Sequence, residues 1–514
     1  MNREEIRTVG GGGQELNRTD VALAAALFIA ALALRIPFRS QMAYHWDSAQ
    51  LALAVGEYNI RLNQPHPPGF YFYIFLARWL NIFVGEPHTA LVWLSVIAGS
   101  WLAAMGYLLA TSMFGRGCGR ATGLILLTSP LCWFHSEIAL TTIVDGALVV
   151  TFVFVCWRAI QRKVTWWQTF AMAAAFAAVG GVRQQSGPLL IPLWIYVFWT
   201  FARPRLAKLL CGTALAAGFC LLWFLPMVKS AGGLGSYLGL VHLKNQIDAS
   251  RTLWGGGGAA ALLTDVQSMG QACWAGLLVA GIVAAAEFIR WVFFREPIVR
   301  RSFYQANKAQ FAVLALWTTP MFLFGLIMYS IMPGHVLHFF PALAVLAGLG
   351  VAAFSKQLAS WPIFREPRAE GVVLTVLVSI NVLIFVYSPP TIMPVLLGLP
   401  MTGVEIRQHD ANLSACLWAI RGKWLPGSVV ICHRFENFYW GYAQFKYYLP
   451  EYQNVLVWNA PPPALPAADI LLVVPPGESL DLFRPIFDLR SAVLVAEDGV
   501  KLYVVRGYRS TDSR

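Results

Sequence analysis

Apolar runs long enough to cross a lipid bilayer recur along most of this chain. A hydrocarbon core about 30 Å thick needs roughly 20 apolar residues per helix. Candidate spans fall at about 21–38, 89–111, 119–134, 146–160, 166–181, 187–201, 207–228, 270–292, 309–331, 336–355 and 370–388. The composition agrees, with 57% hydrophobic and 12% charged residues, about half the charge of an average soluble domain. A cytosolic globular enzyme, a disordered regulator and a disulfide-stapled secreted module are excluded. The expected fold is an α-helical polytopic membrane protein of about 11 spans.

The segment 68–84 is apolar but short, rich in aromatics and interrupted by Arg78. Such a helix suits the headgroup level better than a crossing. Loop charges support that choice. If 68–84 does not cross, one set of loops with the N-terminal tail carries 19 Lys and Arg, among them Arg116, Arg158, Arg162 and Arg300. The opposite set carries 8 before residue 389. Positive loops mark the cytoplasmic side, which also accounts for the net charge of +12 without invoking nucleic acid. Three parts follow: a cytoplasmic tail at 1–20, a transmembrane domain at 21–388 with outer loops 39–88 and 229–269, and an extracytoplasmic region at 389–514. The loop 229–269 contains Gly255–Gly258, a flexible hinge by composition. The polar tail is not a signal peptide. The expected location is a bacterial inner membrane, N-terminus cytoplasmic and C-terminus outside.

Beyond residue 389 the texture changes. Short β-branched runs at 427–432, 454–459, 468–475 and 500–508 are bounded by Gly, Pro and Asn, which predicts a small α/β domain. Of the eight Cys, six lie in or beside apolar segments; Cys416 and Cys432 could pair if their domain faces an oxidising compartment.

Polar residues near the bilayer are costly, so each is a functional candidate. The densest group is in the first outer loop: Tyr44, His45, Trp46, Asp47 and Ser48, then Pro65, His66, Pro67 and Pro68. Two roles fit Asp47, an N-cap for the helix-forming run that follows and a catalytic carboxylate. Asp145, at the outer end of the fourth span, fits a helix cap or a site acid. His135, Ser136 and Glu137 precede it; an interfacial anchoring role fits them as well as a substrate contact does. Arg183, at the outer end of the fifth span, suits a phosphate ligand because guanidinium forms forked hydrogen bonds to phosphate oxygens; interfacial snorkelling is the alternative. Lys244, Arg251, His335 and His338 are further cationic or titratable groups on that face, though a core role also fits His338. No metal-ligand spacing, Walker loop, dinucleotide fingerprint or nucleophile elbow is present, so neither cofactor nor metal is expected.

In its motifs, the chain over about residues 20–355 resembles the GT-C superfamily of membrane glycosyltransferases. The nearest likeness is to dolichyl-phosphate-mannose–protein mannosyltransferases and the bacterial aminoarabinose transferase. The resemblance rests on Trp46-Asp47, His66-Pro67-Pro68 before an aromatic helix, Phe114-Gly115-Arg116, Ser129-Pro130 and Val144-Asp145-Gly146. Ser48 stands where many relatives carry Glu. The resemblance implies an inverting, hexosyl or mannosyl type of transferase. Its donor would be a polyprenyl-phosphate-linked sugar and its acceptor a protein, lipid or glycan of the cell envelope. It also implies Asp47 as the catalytic carboxylate, Asp145 as a second site acid, and Arg183, Lys244, Arg251 and His338 around the donor phosphate. His66, Tyr44 and Glu137 would contact substrate. A lipid-linked sugar flippase or transporter is the alternative; it should carry polar residues through the depth of several spans.

Overall fold

Asn17 starts the first helix. Its side chain accepts from the Asp20 N–H at 2.9 Å, and the Asp20 carboxylate accepts in return from the Asn17 N–H. This reciprocal box satisfies two orphan donors and opens α1 (Arg18–Arg35). Asp20 is buried and also binds Arg116 at 2.8 Å, which ties the start of α1 to the start of α5 (Arg116–Thr128). The computed structural model describes residues 14–249, 252–327, 332–361, 363–364, 368–387, 401–434, 439–457, 469–498 and 500–506.

The connection from α1 to α4 (Pro87–Phe114) is largely helical, holding α2 (Trp46–Gly56) and α3 (Tyr71–Val84). At 14 residues, α3 is about 21 Å long, too short to cross a full hydrocarbon core. Its Arg78 donates to the carbonyls of Val55 at 2.9 Å and Ala54 at 3.1 Å. These belong to the last turn of α2, whose carbonyls have no partner within their own helix. The interrupting charge therefore fixes the short helix against α2.

The expected span at 119–134 is broken. Proline has no N–H to continue a helix, so α5 stops at Thr128 and Pro130 opens α6 (Pro130–Glu137). Ser129 Oγ caps that start by accepting from the Cys132 N–H at 3.4 Å. Then follow α7 (Thr141–Arg162), α8 (Trp166–Val182), α9 (Ser186–Leu189), α10 (Ile191–Phe201), α11 (Arg205–Ser230) and α12 (Leu234–Ala249). The last of the bundle are α13 (Gly258–Phe294), α14 (Pro297–Ala306), α15 (Lys308–Ile327), α16 (Phe340–Leu358) and α17 (Arg368–Tyr387).

Among the described residues, eight helices are long and apolar enough to cross a membrane. They match eight of the expected spans. The segments expected at 166–181 and 187–201 are also helical but shorter, with 17 residues in α8 and 11 in α10. Most of α4 is enclosed by its neighbours, whereas α11 keeps Leu206, Leu210, Leu222 and Leu225 exposed. One is a central post and the other a peripheral, lipid-facing helix. Gly255–Gly258, expected as a hinge, form a wide turn between α12 and α13. Gly256 (φ 123°) and Gly258 (φ 53°) adopt backbone angles that favour glycine.

After residue 401 come α18 (Gly403–Lys423) and a five-stranded mixed sheet. Its strands are β1 (Val429–Arg434), β2 (Gln453–Val457), β3 (Asp469–Val474), β4 (Ala492–Asp498) and β5 (Val500–Val505), in the order β2-β1-β3-β5-β4. The expected boundary at 389 lies outside the described residues. Strands β2, β1 and β3 are parallel and β5 and β4 antiparallel. Both faces are covered, as a largely parallel sheet requires. Leu413, Cys416 and Ile420 of α18 pack on Ile431 and Leu471. Cys432 and Leu472 point the other way, onto Phe483 and Phe487. Cys416 and Cys432 are thus free thiols on opposite faces of the sheet.

This domain docks on the connection between α1 and α4. Asp410 of α18 accepts from Ser40 Oγ at 3.0 Å and from the N–H groups of Gln41 at 2.6 Å and Met42 at 3.1 Å. Tyr448, in α19 (Tyr442–Tyr448), accepts from the Ala43 N–H at 2.7 Å. Tyr447 donates to the Glu86 carboxylate, which itself caps α4. Residues 40–43, just before His45, are thereby held from both sides.

Candidate active site

Asp47 is not the cap of α2. That place belongs to His45, whose Nδ1 accepts from the Asp47 N–H at 3.0 Å. The bond requires Nδ1 without a proton, so the 3.7 Å approach of this nitrogen to Asp47 Oδ2 is not an ion pair. Burial pushes the His45 imidazole below its usual range, which favours the same neutral form. Because His45 caps the helix, the Asp47 carboxylate points elsewhere, and its side chain is 27% exposed.

One turn further along α2, Gln50 Oε1 lies 3.0 Å from His66 Nδ1. An amide oxygen only accepts, so the proton sits on Nδ1, the same nitrogen that stands 3.5 Å from Asp47 Oδ1. Held by Gln50, the His66 ring of the 65–69 turn thus stands beside the acid from across the loop. Burial opposes ionisation of Asp47, but neighbouring positive charge, His66 foremost, with Lys244 and Arg183, outweighs it and holds the carboxyl below its usual range.

Arg183 follows α8 directly and is buried. With the Gln185 amide turned oxygen-inward, Arg183 Nη2 and Nε donate to it at 2.7 and 3.1 Å. Asp145 is the carboxylate that acts on Arg183 most strongly, with Asp47 second. The guanidinium is therefore within electrostatic reach of both acids. Asp145, in the first turns of α7, is buried and accepts from Ser186 Oγ at 2.8 Å. His338 Nδ1 lies 3.9 Å from the same carboxylate oxygen. This closeness depends on Gly146, where a Cβ would come within 2.7 Å of the Leu337 carbonyl. Any larger residue would push the 3-10 turn Pro333–His338 away from α7.

Asp47, His66, Phe70, Arg183 and His335 line one narrow cavity of about 70 Å³, together with His135 and the 140–142 stretch. Of the residues expected at the site, Asp47, His66 and Arg183 meet there. Asp145 and His338 do not line it. Lys244, on α12, acts on Asp47 by charge but does not line the wall. Tyr44 is buried edge-on against Phe134, with ring centroids 5.2 Å apart, and beside His409 of α18 at 4.6 Å. Glu137 is buried away from the cavity, and Arg35, also buried, is the nearest counter-charge in effect. Arg251 lies outside the described residues.

Four participants, Gln50, Thr141, Thr142 and Ser186, escape a reading of the chain alone. Gln50 was findable, since it lies three residues after Asp47 and so on the same helix face. Ser186, 41 residues from Asp145, and Thr141 and Thr142 at the cavity wall carry no local signal. His335 is held well below its usual range by burial and then by Arg183, so it faces the cavity as a neutral ring. Among the described residues, no group of three or more His, Cys, Asp or Glu could hold a metal ion.

No protein-family profile matches the sequence, and none of the curated proteins is similar to it in sequence. Similarity appears at the level of solved structures. ArnT from Cupriavidus metallidurans in the apo state aligns over 95% of this chain and 97% of its own, at 13% identity and a TM-score of 0.55. The same protein bound to undecaprenyl phosphate gives equal coverage, 14% identity and a TM-score of 0.51. That likeness spans membrane bundle and sheet together, and the chain shares its fold with ArnT.

Proposed function

We propose that this protein is an inverting glycosyltransferase. It would move a sugar from a polyprenyl-phosphate donor to an acceptor hydroxyl at the outer face of a bacterial inner membrane. One observation carries the reading: an acid held in its ionised form, Asp47, shares a cavity with a buried guanidinium, Arg183. Acceptor activation needs the first and an anionic leaving group needs the second. The undecaprenyl phosphate bound by ArnT supports a polyprenyl phosphate as leaving group here.

In this mechanism the acceptor oxygen forms a bond to the anomeric carbon while Asp47 takes its proton. The bond from that carbon to the phosphate oxygen breaks, and the electron pair leaves with the polyprenyl phosphate. Attack from the face opposite the phosphate inverts the configuration. Arg183 meets the charge that grows on the phosphate, and Gln185 holds the guanidinium in place. His66, fixed by Gln50, orients the carboxylate. At about 70 Å³ the cavity is narrow, so donor entry requires its walls to part.

The test is transfer by the purified protein in liposomes supplied with a labelled polyprenyl-phosphate hexose. Acceptor-dependent release of polyprenyl phosphate is expected. Asp47→Asn should slow it by about 10²–10⁴-fold, the usual worth of a positioned base, without loss of folded protein. Full activity in that variant would overturn the assignment.

A further inference from the structure

A second cavity, of about 470 Å³, lies at the other end of α7. Asp145 and Arg162 are 17 residues apart on this helix, about 25 Å along its axis, so this cavity is remote from Asp47. Its walls include Trp157, Arg158 and Arg162 of α7, Gln310 of α15, and Glu15 from the segment before α1.

Two features point to an anion. The first is charge: two guanidinium groups face one carboxylate. Glu15 is 86% exposed and its oxygen stands 3.8 Å from Arg162, at the limit of an ion pair, so it neutralises little. The second is a buried donor without an acceptor. Trp157 is only 3% exposed, lines the cavity, and its indole N–H has no hydrogen-bond partner. Native interiors rarely leave such a donor orphaned. The Arg158 guanidinium is already oriented, since Nη1 donates to Gln161 Oε1 at 2.8 Å, and Gln161 in turn donates to the Ser112 carbonyl at 3.1 Å.

We infer that this cleft binds a phosphate group, carried by an anionic phospholipid headgroup or present as free phosphate. A tetrahedral phosphate offers acceptors in several directions at once, which suits an indole and two guanidinium groups lining one cleft. The cleft sits where a crossing helix ends, at the depth of lipid headgroups, and basic pockets between spans are suited to such groups. Trp157 supplies the amphipathic ring common at that level. The inference does not depend on the activity proposed above.

The test uses the full chain, purified and delipidated, with phosphatidylglycerol, phosphatidylcholine and inorganic phosphate as separate probes. Tightly retained lipids are counted by native mass spectrometry, and affinity follows from the rise in thermal midpoint. One retained phosphatidylglycerol is expected, lost in the R158Q/R162Q double variant, with affinity reduced roughly tenfold or more. Trp157→Phe keeps the ring and removes only the N–H, and should weaken binding severalfold. Saturation by inorganic phosphate, with the same dependence on Arg158 and Arg162, would assign the site to the soluble anion. Equal binding of both anionic probes by wild type and R158Q/R162Q, or tight retention of phosphatidylcholine in their place, would overturn the inference.

Discussion

His45 Nδ1 accepts the backbone N–H of Asp47 at 3.0 Å, so the residue that starts the helix and the acid that heads into the cavity are different residues. A cap carried by Asp47 itself would have tied one carboxylate oxygen to the helix. The histidine leaves both oxygens to the cavity and sets the angle at which they enter it. Tyr439 of the C-terminal domain meets the same imidazole edge-on, with centroids 5.6 Å apart. The small domain thus touches the cap directly.

His45→Ala should therefore lower stability by about 1 kcal/mol, the usual cost of a lost cap, and lower kcat as Asp47 loses its fixed angle. Asparagine is a good cap, so His45→Asn should recover most of both. Thermal midpoint and kcat measured on the two variants decide it; equal kcat losses in both would detach the effect from capping.

A base held below the usual carboxylate range is already ionised at neutral pH. Protonation then needs a pH under about 4, the ordinary carboxylate value. The kcat/KM profile should accordingly be flat from neutrality down through pH 5, with its acid limb below that. An acid limb near pH 6.5 would instead point to a histidine as the base.

Arg183 faces a leaving phosphate in the proposed reaction. Arg183→Gln should raise the donor KM and lower kcat together, by about tenfold or more overall. Arg183→Lys keeps the charge but not the fork and should fall between. A donor KM unchanged in the glutamine variant would remove the guanidinium from the site.

Asp410 gathers three donors from residues 40–42, a carboxylate bridge between domain and loop. Asp410→Ala leaves those N–H groups without their acceptor and should cost about 1–3 kcal/mol. Transfer activity should fall with it, because the loop leads into His45 and Asp47. Protease accessibility of the 39–45 loop, raised in the variant, is the structural readout.

Glu137 lies outside the cavity that Asp47 and Arg183 share. Glu137→Gln should leave the donor KM within about twofold of wild type, since a substitution away from a site rarely exceeds ±0.5 kcal/mol. A tenfold rise would restore Glu137 to the substrate contacts that the resemblance implies.

Much of this protein was legible as a chain. Hydrophobic run length is a local quantity fixed by bilayer thickness, and it located the crossing helices; Arg78 and the short 68–84 run marked α3 as different. The alternation after residue 389 announced the sheet. The acids at 47 and 145 stood out because ionisable groups beside lipid are costly. Three-dimensional packing decided the rest. The sequence around Asp47 fits a cap and a free carboxylate equally well, and only the direction of the His45 ring separates them. Glu137, Asp145 and Arg183 look alike as polar residues at helix ends. Yet Asp145 is joined to Ser186, three residues beyond Arg183, while Glu137 has Arg35 as its main counter-charge. Such choices depend on contacts between residues tens to hundreds of positions apart, whose strength comes from burial and mutual orientation. Local sequence encodes neither.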